Sequence, residues 1–122
     1  MLFATGVAWW VTDGLKQSSD GELWQAVSAN LLMLHGGAAM VTLILLGALF
    51  PLHIRLAWRS RRNRVTGVAM IVFNAALILT AFGLYYLGSE VIRPWASYLH
   101  FVAGCVLPAL FFTHIWLGRR SS

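Results

Sequence analysis

Three long apolar stretches divide the chain, at about residues 29–52, 65–87 and 95–117, and the segments between them collect most of its charge. The hydrocarbon core of a bilayer is about 30 Å thick and takes about 20 residues of helix to cross. Each stretch therefore predicts a transmembrane helix. Trp24 and Trp58, Tyr85 and Tyr86, and Trp95 and Trp116 bound the stretches, as aromatic side chains do at membrane interfaces. A fourth apolar segment, Leu2 to Val11, carries Trp9 and Trp10, but ten residues of helix cover only about 15 Å. No basic residue precedes it and no small-residue cleavage site follows, so it does not read as a signal peptide. It predicts the outer half of a fourth helix, at about residues 2–12, with a short helix resting in the interface as the alternative. The expected fold is a single all-α domain, a transmembrane helical bundle of three full spans plus this partial fourth helix.

Composition agrees with that pattern. The 122 residues are 59% hydrophobic and 11% charged, against about 25% charged residues in ordinary soluble domains. The net charge of +5 would suggest nucleic acid in a soluble protein, but its distribution does not. Arg55, Arg59, Arg61, Arg62 and Arg64 crowd one loop, Arg119 and Arg120 close the chain, and Asp13, Asp20 and Glu22 lie together in an earlier segment. By the positive-inside rule the loop at 55–64 and the C-terminus are expected in the cytoplasm, and the acidic segment and the turn from Gly88 to Pro94 on the other side. In a bacterium this is the cytoplasmic, or inner, membrane.

Candidate chemistry enters with four histidines, His35, His53, His100 and His114, all within or at the edge of the spans. An imidazole carries a donor and an acceptor that lipid cannot satisfy, so at such depth it suggests a functional site. At about 100° per residue the eighteen-residue step from His35 to His53 returns to the same helix face, and the fourteen-residue step from His100 to His114 falls about 40° short. The first and third spans run the same way, so His35 and His100 are expected near the outer end, and His53 and His114 near the inner end. The axial steps are about 27 and 21 Å, a mismatch that tilt can absorb. Pro51 either kinks the first span and re-aims His53 or marks the end of its helix.

Two histidines per level are too few for a zinc or copper site, and the single cysteine, Cys105, adds no cluster. Two are enough for a haem, whose porphyrin supplies the other four nitrogens. Gly36, Gly37, Ala38 and Ala39 follow His35, and Ala103 and Gly104 follow His100, so a macrocycle would meet small residues, although small residues are also ordinary helix-packing devices. Ala39, Thr42 and Leu46 are expected on the histidine face of the first span, and Gly104, Leu107 and Phe111 on that of the third. Candidate partners for anionic propionates are Arg55, Arg59 and Arg119 inside, and Arg93 or Lys16 outside. These cations also serve topology and lipid headgroups.

His35 with Gly36-Gly37, the segment Pro51 to Trp58, Asn63-Arg64 with Gly67, Leu84 to Tyr86, Arg93, and His100 to Arg120 together resemble the compact bacterial di-haem cytochrome b membrane subunits of the cytochrome b561-like group. The resemblance covers roughly residues 30 to 120, and its strongest element is the order and spacing of the four histidines. It implies a four-helix bundle with two b-type haems stacked across the membrane, the four histidines as axial ligands, and a link between quinone chemistry and a redox partner outside the cytoplasmic membrane. The chain departs from the group at its amino terminus, where a complete first helix opened by basic residues is expected.

The expected function is transmembrane electron transfer, with iron as the metal and two b-type haems as cofactors, one held by His35 and His100 and one by His53 and His114. Such a chain is an electron-transfer subunit of an oxidoreductase complex, with no catalytic residue of its own. The expected partners are membrane lipid, a c-type cytochrome or other redox subunit, and quinone, for which Tyr85, Tyr86, Glu90 and Arg93 are an outer candidate site. The competing readings are a haem-free structural anchor, in which the histidines pack or bind partners, and a proton or solute pathway. The pathway has little polar support in the second span beyond Asn74 and Thr80.

Overall fold

The structure is a computed structural model and describes residues 1–17, 21–60 and 64–120. Asp20, Arg61, Arg62 and Asn63 lie outside the described residues, as do the side chains of Trp58 and Arg59. The described chain is all-α, with no strand. Its elements are α1 (Leu2–Gly14), a 3-10 turn (Leu15–Gln17), α2 (Gly21–Ser60), α3 (Arg64–Tyr86) and α4 (Ile92–Arg120).

Three of these helices are long and apolar enough to cross a membrane: Gly21–Leu56, Arg64–Tyr86 and Ile92–Arg120, with mean hydropathy of 2.0, 2.1 and 1.8. Most of their large apolar side chains are exposed, including Ile44, Leu79 and Phe112. In water such surfaces would drive aggregation; against lipid tails they are the expected exterior, because a helix satisfies its own backbone and leaves its side chains to the solvent. The predicted second and third spans match α3 and α4 to within a few residues, while α2 extends well past both ends of the first. Pro51 lies inside α2, and the helix runs on to Ser60, so Pro51 is not a helix end. Pro108 lies inside α4 in the same way. Each proline leaves the carbonyl four residues earlier without its helical donor, and that residue is glycine in both cases, Gly47 and Gly104.

The chain divides into two units, Met1–His53 and Ile54–Ser122. In the first, Thr5 on α1 contacts His35 on α2, and Thr5, Thr12 and Ser28 are the buried residues. The 3-10 turn returns the chain toward α2 at Gly21, where a Cβ would stand 2.7 Å from the Lys16 carbonyl oxygen. No real Cβ comes so close to backbone, so this return requires glycine. The N-terminal segment is thus a thirteen-residue helix that reaches α2 at Thr5.

In the second unit α3 and α4 form an antiparallel hairpin joined by a short turn, a standard connection for neighbouring helices. Ser89 organises the turn: its hydroxyl accepts from the Ile92 N–H at 3.3 Å and its carbonyl from the Arg93 N–H at 3.0 Å. Shielded positions recur every seven residues, at Thr66, Phe73 and Thr80 with Ala69, Ala76 and Gly83 on α3, and at Ala96, Ala103 and Leu110 with His100, Leu107 and His114 on α4. This is the spacing of helices packed as a left-handed coil. Gly83, Ala96 and Ala103 are the buried residues of the hairpin, and their size brings the backbones together.

Candidate functional site: histidines held by threonines

All four histidines lie on membrane-length helices. His35 and His53 are on α2, with His35 half-buried and His53 exposed within its unit. His100 and His114, both half-buried, are on the seam of α4. Their environments share one feature. In three of the four, Nδ1 is hydrogen-bonded to a threonine hydroxyl on an adjacent helix: His35 to Thr5 at 2.9 Å, His100 to Thr80 at 2.9 Å and His114 to Thr66 at 2.8 Å.

The two rungs of the second unit follow from one register. Thr66 and Thr80 are fourteen residues apart on α3, and His100 and His114 are fourteen apart on α4. Because the helices are antiparallel, ascending α3 from Thr66 to Thr80 descends α4 from His114 to His100. Fourteen residues are four heptads' half, about 21 Å of rise, so one heptad register aligns both pairs. Between them Gly104 leaves room beside Leu77, where a Cβ would sit at ordinary contact distance, 3.9 Å.

Glycines next to two of the threonines lie beside the rings, and at Gly6 the space is needed. A Cβ at Gly6 would stand 3.3 Å from His35 Cε1, and one at Gly67 would stand 3.8 Å from His114 Cε1. Thr5-Gly6-Val7-Ala8 and Thr66-Gly67-Val68-Ala69 are the same four residues, and in each the threonine bonds the imidazole while the glycine lies beside it. Thr80 is followed by Ala81 instead.

The other predicted residues are placed as follows. Ala39, Thr42 and Leu46 are half-shielded on α2, and Gly104 and Leu107 on α4, as the helical angle predicts; Phe111 is exposed and is not part of the shielded face. Thr42 hydrogen-bonds within its own helix, to the Ala38 carbonyl. Arg55 and Arg93 are exposed; Arg93 lies seven residues from His100 on the same face of α4, about 10 Å along the axis. Lys16 is paired with Asp13 at 2.5 Å. Tyr85, Tyr86 and Glu90 are exposed at the α3–α4 turn, with Tyr86 stacked against Phe82 at 4.4 Å between ring centres. Among the described residues no three histidine, cysteine, aspartate or glutamate side chains gather into a metal-binding set.

The donor set therefore supplies imidazoles whose second nitrogen is engaged by a hydroxyl. A histidine that ligates a metal usually holds its other ring nitrogen in such a hydrogen bond, which orients the ring and fixes the tautomer. The residues present fit a haem on three counts: imidazole ligands, Nδ1 held to one side, and glycine or alanine beside the rings.

The threonines went unread in the sequence. Their signal was present, in the fourteen-residue spacing common to threonines of the second span and histidines of the third, and in the repeated Thr-Gly-Val-Ala. Fold and site together define an integral membrane protein of long apolar helices carrying half-buried histidine–threonine pairs. No protein-family model, curated protein or solved structure matches the chain.

Proposed function

We propose that the protein is a membrane cytochrome that carries electrons across the bilayer through two bis-histidine b-type haems. The observation that carries this reading is the hydrogen bond between Nδ1 and a threonine hydroxyl at His35, His100 and His114. A histidine that ligates a metal usually holds its other ring nitrogen in a hydrogen bond, and here three rings are engaged at the same nitrogen, Nδ1. The pairing of His35 with His100 and of His53 with His114 rests on their spacing along α2 and α4.

Bound there, the haems supply reversible one-electron chemistry at iron. The chain's part is to hold the imidazoles, exclude water with its apolar helices and offer cations to the propionates, for which Arg93 near His100 and Arg55 near His53 are the nearest along the sequence. The reading extends to a place in a bacterial inner membrane complex, linking the quinone pool to a c-type cytochrome or another extracytoplasmic redox subunit, with the basic loop at 55–64 and the C-terminus in the cytoplasm.

The test is a reduced-minus-oxidised visible spectrum of the purified protein, expected to show low-spin b-type haem at two per chain. Substituting His35 or His100 removes one haem, and substituting His53 or His114 removes the other. A colourless preparation from haem-sufficient cells would favour a haem-free anchor instead.

A further inference from the structure

We infer that Thr5, Thr80 and Thr66 are positioning residues that impose one tautomer on their histidines, with the proton on Nδ1 and the lone pair on Nε2. This rests on the haem reading above and adds to it the residues that set how three of the four imidazoles would meet iron.

The inference follows from counting protons. A threonine hydroxyl has one proton and two lone pairs. At Thr80 that proton goes to the backbone of its own helix, where Oγ1 donates to the Ala76 carbonyl at 2.7 Å, with Leu77 at 3.2 Å. At Thr5 it goes to the Leu2 carbonyl at 3.0 Å, with Met1 at 3.2 Å. The contact to His100 or His35 therefore cannot use that proton as well. The oxygen is the acceptor, and Nδ1–H the donor. A neutral imidazole protonated on Nδ1 bears its lone pair on Nε2, the nitrogen that can ligate iron. Thr66 contacts His114 Nδ1 at 2.8 Å, and the same tautomer is assigned there by analogy with the other two pairs.

The bond also acts on the iron. An acceptor at Nδ1–H increases the electron donation of the ring, which favours the oxidised metal. A hydroxyl is a weak acceptor beside a carboxylate or a backbone carbonyl, so these threonines orient the ring firmly while lowering the potential only modestly. The repeated Thr-Gly pairs on α1 and α3 place this device on helices that contribute no histidine.

The test uses the full chain with its haems, carrying Thr80→Val, Thr66→Val or Thr5→Val. Valine keeps the shape and removes the acceptor. The expected results are a rise in the midpoint potential of the haem served by that threonine, an altered low-spin iron electron paramagnetic resonance signal from the freed ring, and a loss of haem affinity of about 10- to 100-fold. The Ser variants restore all three. Thr113→Val, at an exposed hydroxyl that bonds only the Ala109 carbonyl among its described contacts, leaves them unchanged. A wild-type protein with two haems whose valine variants keep potential, resonance signal and affinity overturns the tautomer assignment alone. A wild type without haem overturns the cytochrome reading itself. If a valine variant fails to fold, the matching Ser variant decides: retained haem with wild-type potential supports the inference, and a shifted potential despite the restored hydroxyl overturns it.

Discussion

A β-carbon on Gly6 would stand 3.3 Å from Cε1 of His35, tighter than nearly all real contacts of that kind, whereas one on Gly67 would stand at a comfortable 3.8 Å from the same atom of His114. The two glycines follow identical neighbours in the sequence, yet only the first is under steric demand. Gly6→Ala is expected to push the His35 ring by a few tenths of an ångström, which on the cytochrome reading shifts the spectrum of one haem and weakens its retention. Gly67→Ala is expected to leave both haems in place and to stabilise α3 by about 0.5–1 kcal/mol through the lower backbone entropy of alanine. Visible spectra and thermal unfolding in detergent, run on both variants, separate the two outcomes.

Ser28 is 1% exposed, and its hydroxyl has no hydrogen-bond partner. Burying an unsatisfied hydroxyl is unfavourable by about 1–3 kcal/mol. Ser28→Ala removes that penalty at little change in volume, so it is expected to raise stability by about 1 kcal/mol. Unfolding in mixed micelles reads the change, and a destabilised variant would show that the hydroxyl meets a partner in the membrane.

Gly21 faces the Lys16 carbonyl with no room for a side chain, since a Cβ would lie 2.7 Å from backbone. Gly21→Ala is expected to open the return from α1 to α2 and to cost about 1–3 kcal/mol, the range typical of overpacking. Because α1 carries Thr5, the cytochrome reading adds that the same variant lowers occupancy of the haem assigned to His35 relative to the other. Haem stoichiometry alongside unfolding tests both consequences; equal loss of the two haems would count against it.

Pro51 sits inside α2 two residues before His53. Pro51→Ala restores a donor to the Gly47 carbonyl and is expected to straighten α2 and stabilise it, by up to about 3 kcal/mol. On the cytochrome reading, if the proline aims His53, the spectrum of the haem assigned to His53 shifts in the variant and that of the other does not. An unshifted spectrum would assign Pro51 to packing alone.

Topology is open to a chemical test. With Cys105 replaced by serine, a cysteine at Glu90 is expected to react with a membrane-impermeant maleimide in intact cells, and one at Arg64 only after permeabilisation, as the positive-inside rule requires. The reverse pattern would invert the protein.

The elements were readable to different degrees for physical reasons. The spans of α3 and α4 stood out because lipid demands a continuous apolar exterior, which leaves a strong linear signal. The full length of α2 did not, because its ends leave the apolar zone and its helix runs through Pro51, where a soluble protein would more often stop. The four histidines were conspicuous as ionisable groups among apolar neighbours. The threonines were not, because a hydroxyl that returns its proton to its own backbone is cheap in a membrane helix and common there. Only the contact across the helix pair distinguishes Thr80, which bonds His100, from Thr113, which bonds only within α4 among its described contacts. Phe111 fell on the predicted face by angle but is exposed, whereas Gly104, seven residues earlier, is half-shielded.

The shared register of α3 and α4 ties the fates of two distant rings. A slip of one residue along the hairpin moves each contact by about 1.5 Å and turns it by about 100°, so neither Thr66–His114 nor Thr80–His100 survives while the other stays intact. No partial error leaves one ring correctly held. The hairpin is consequently proofread at both ends of the membrane by a single threading event, and a chain that inserts out of step forfeits both grips together.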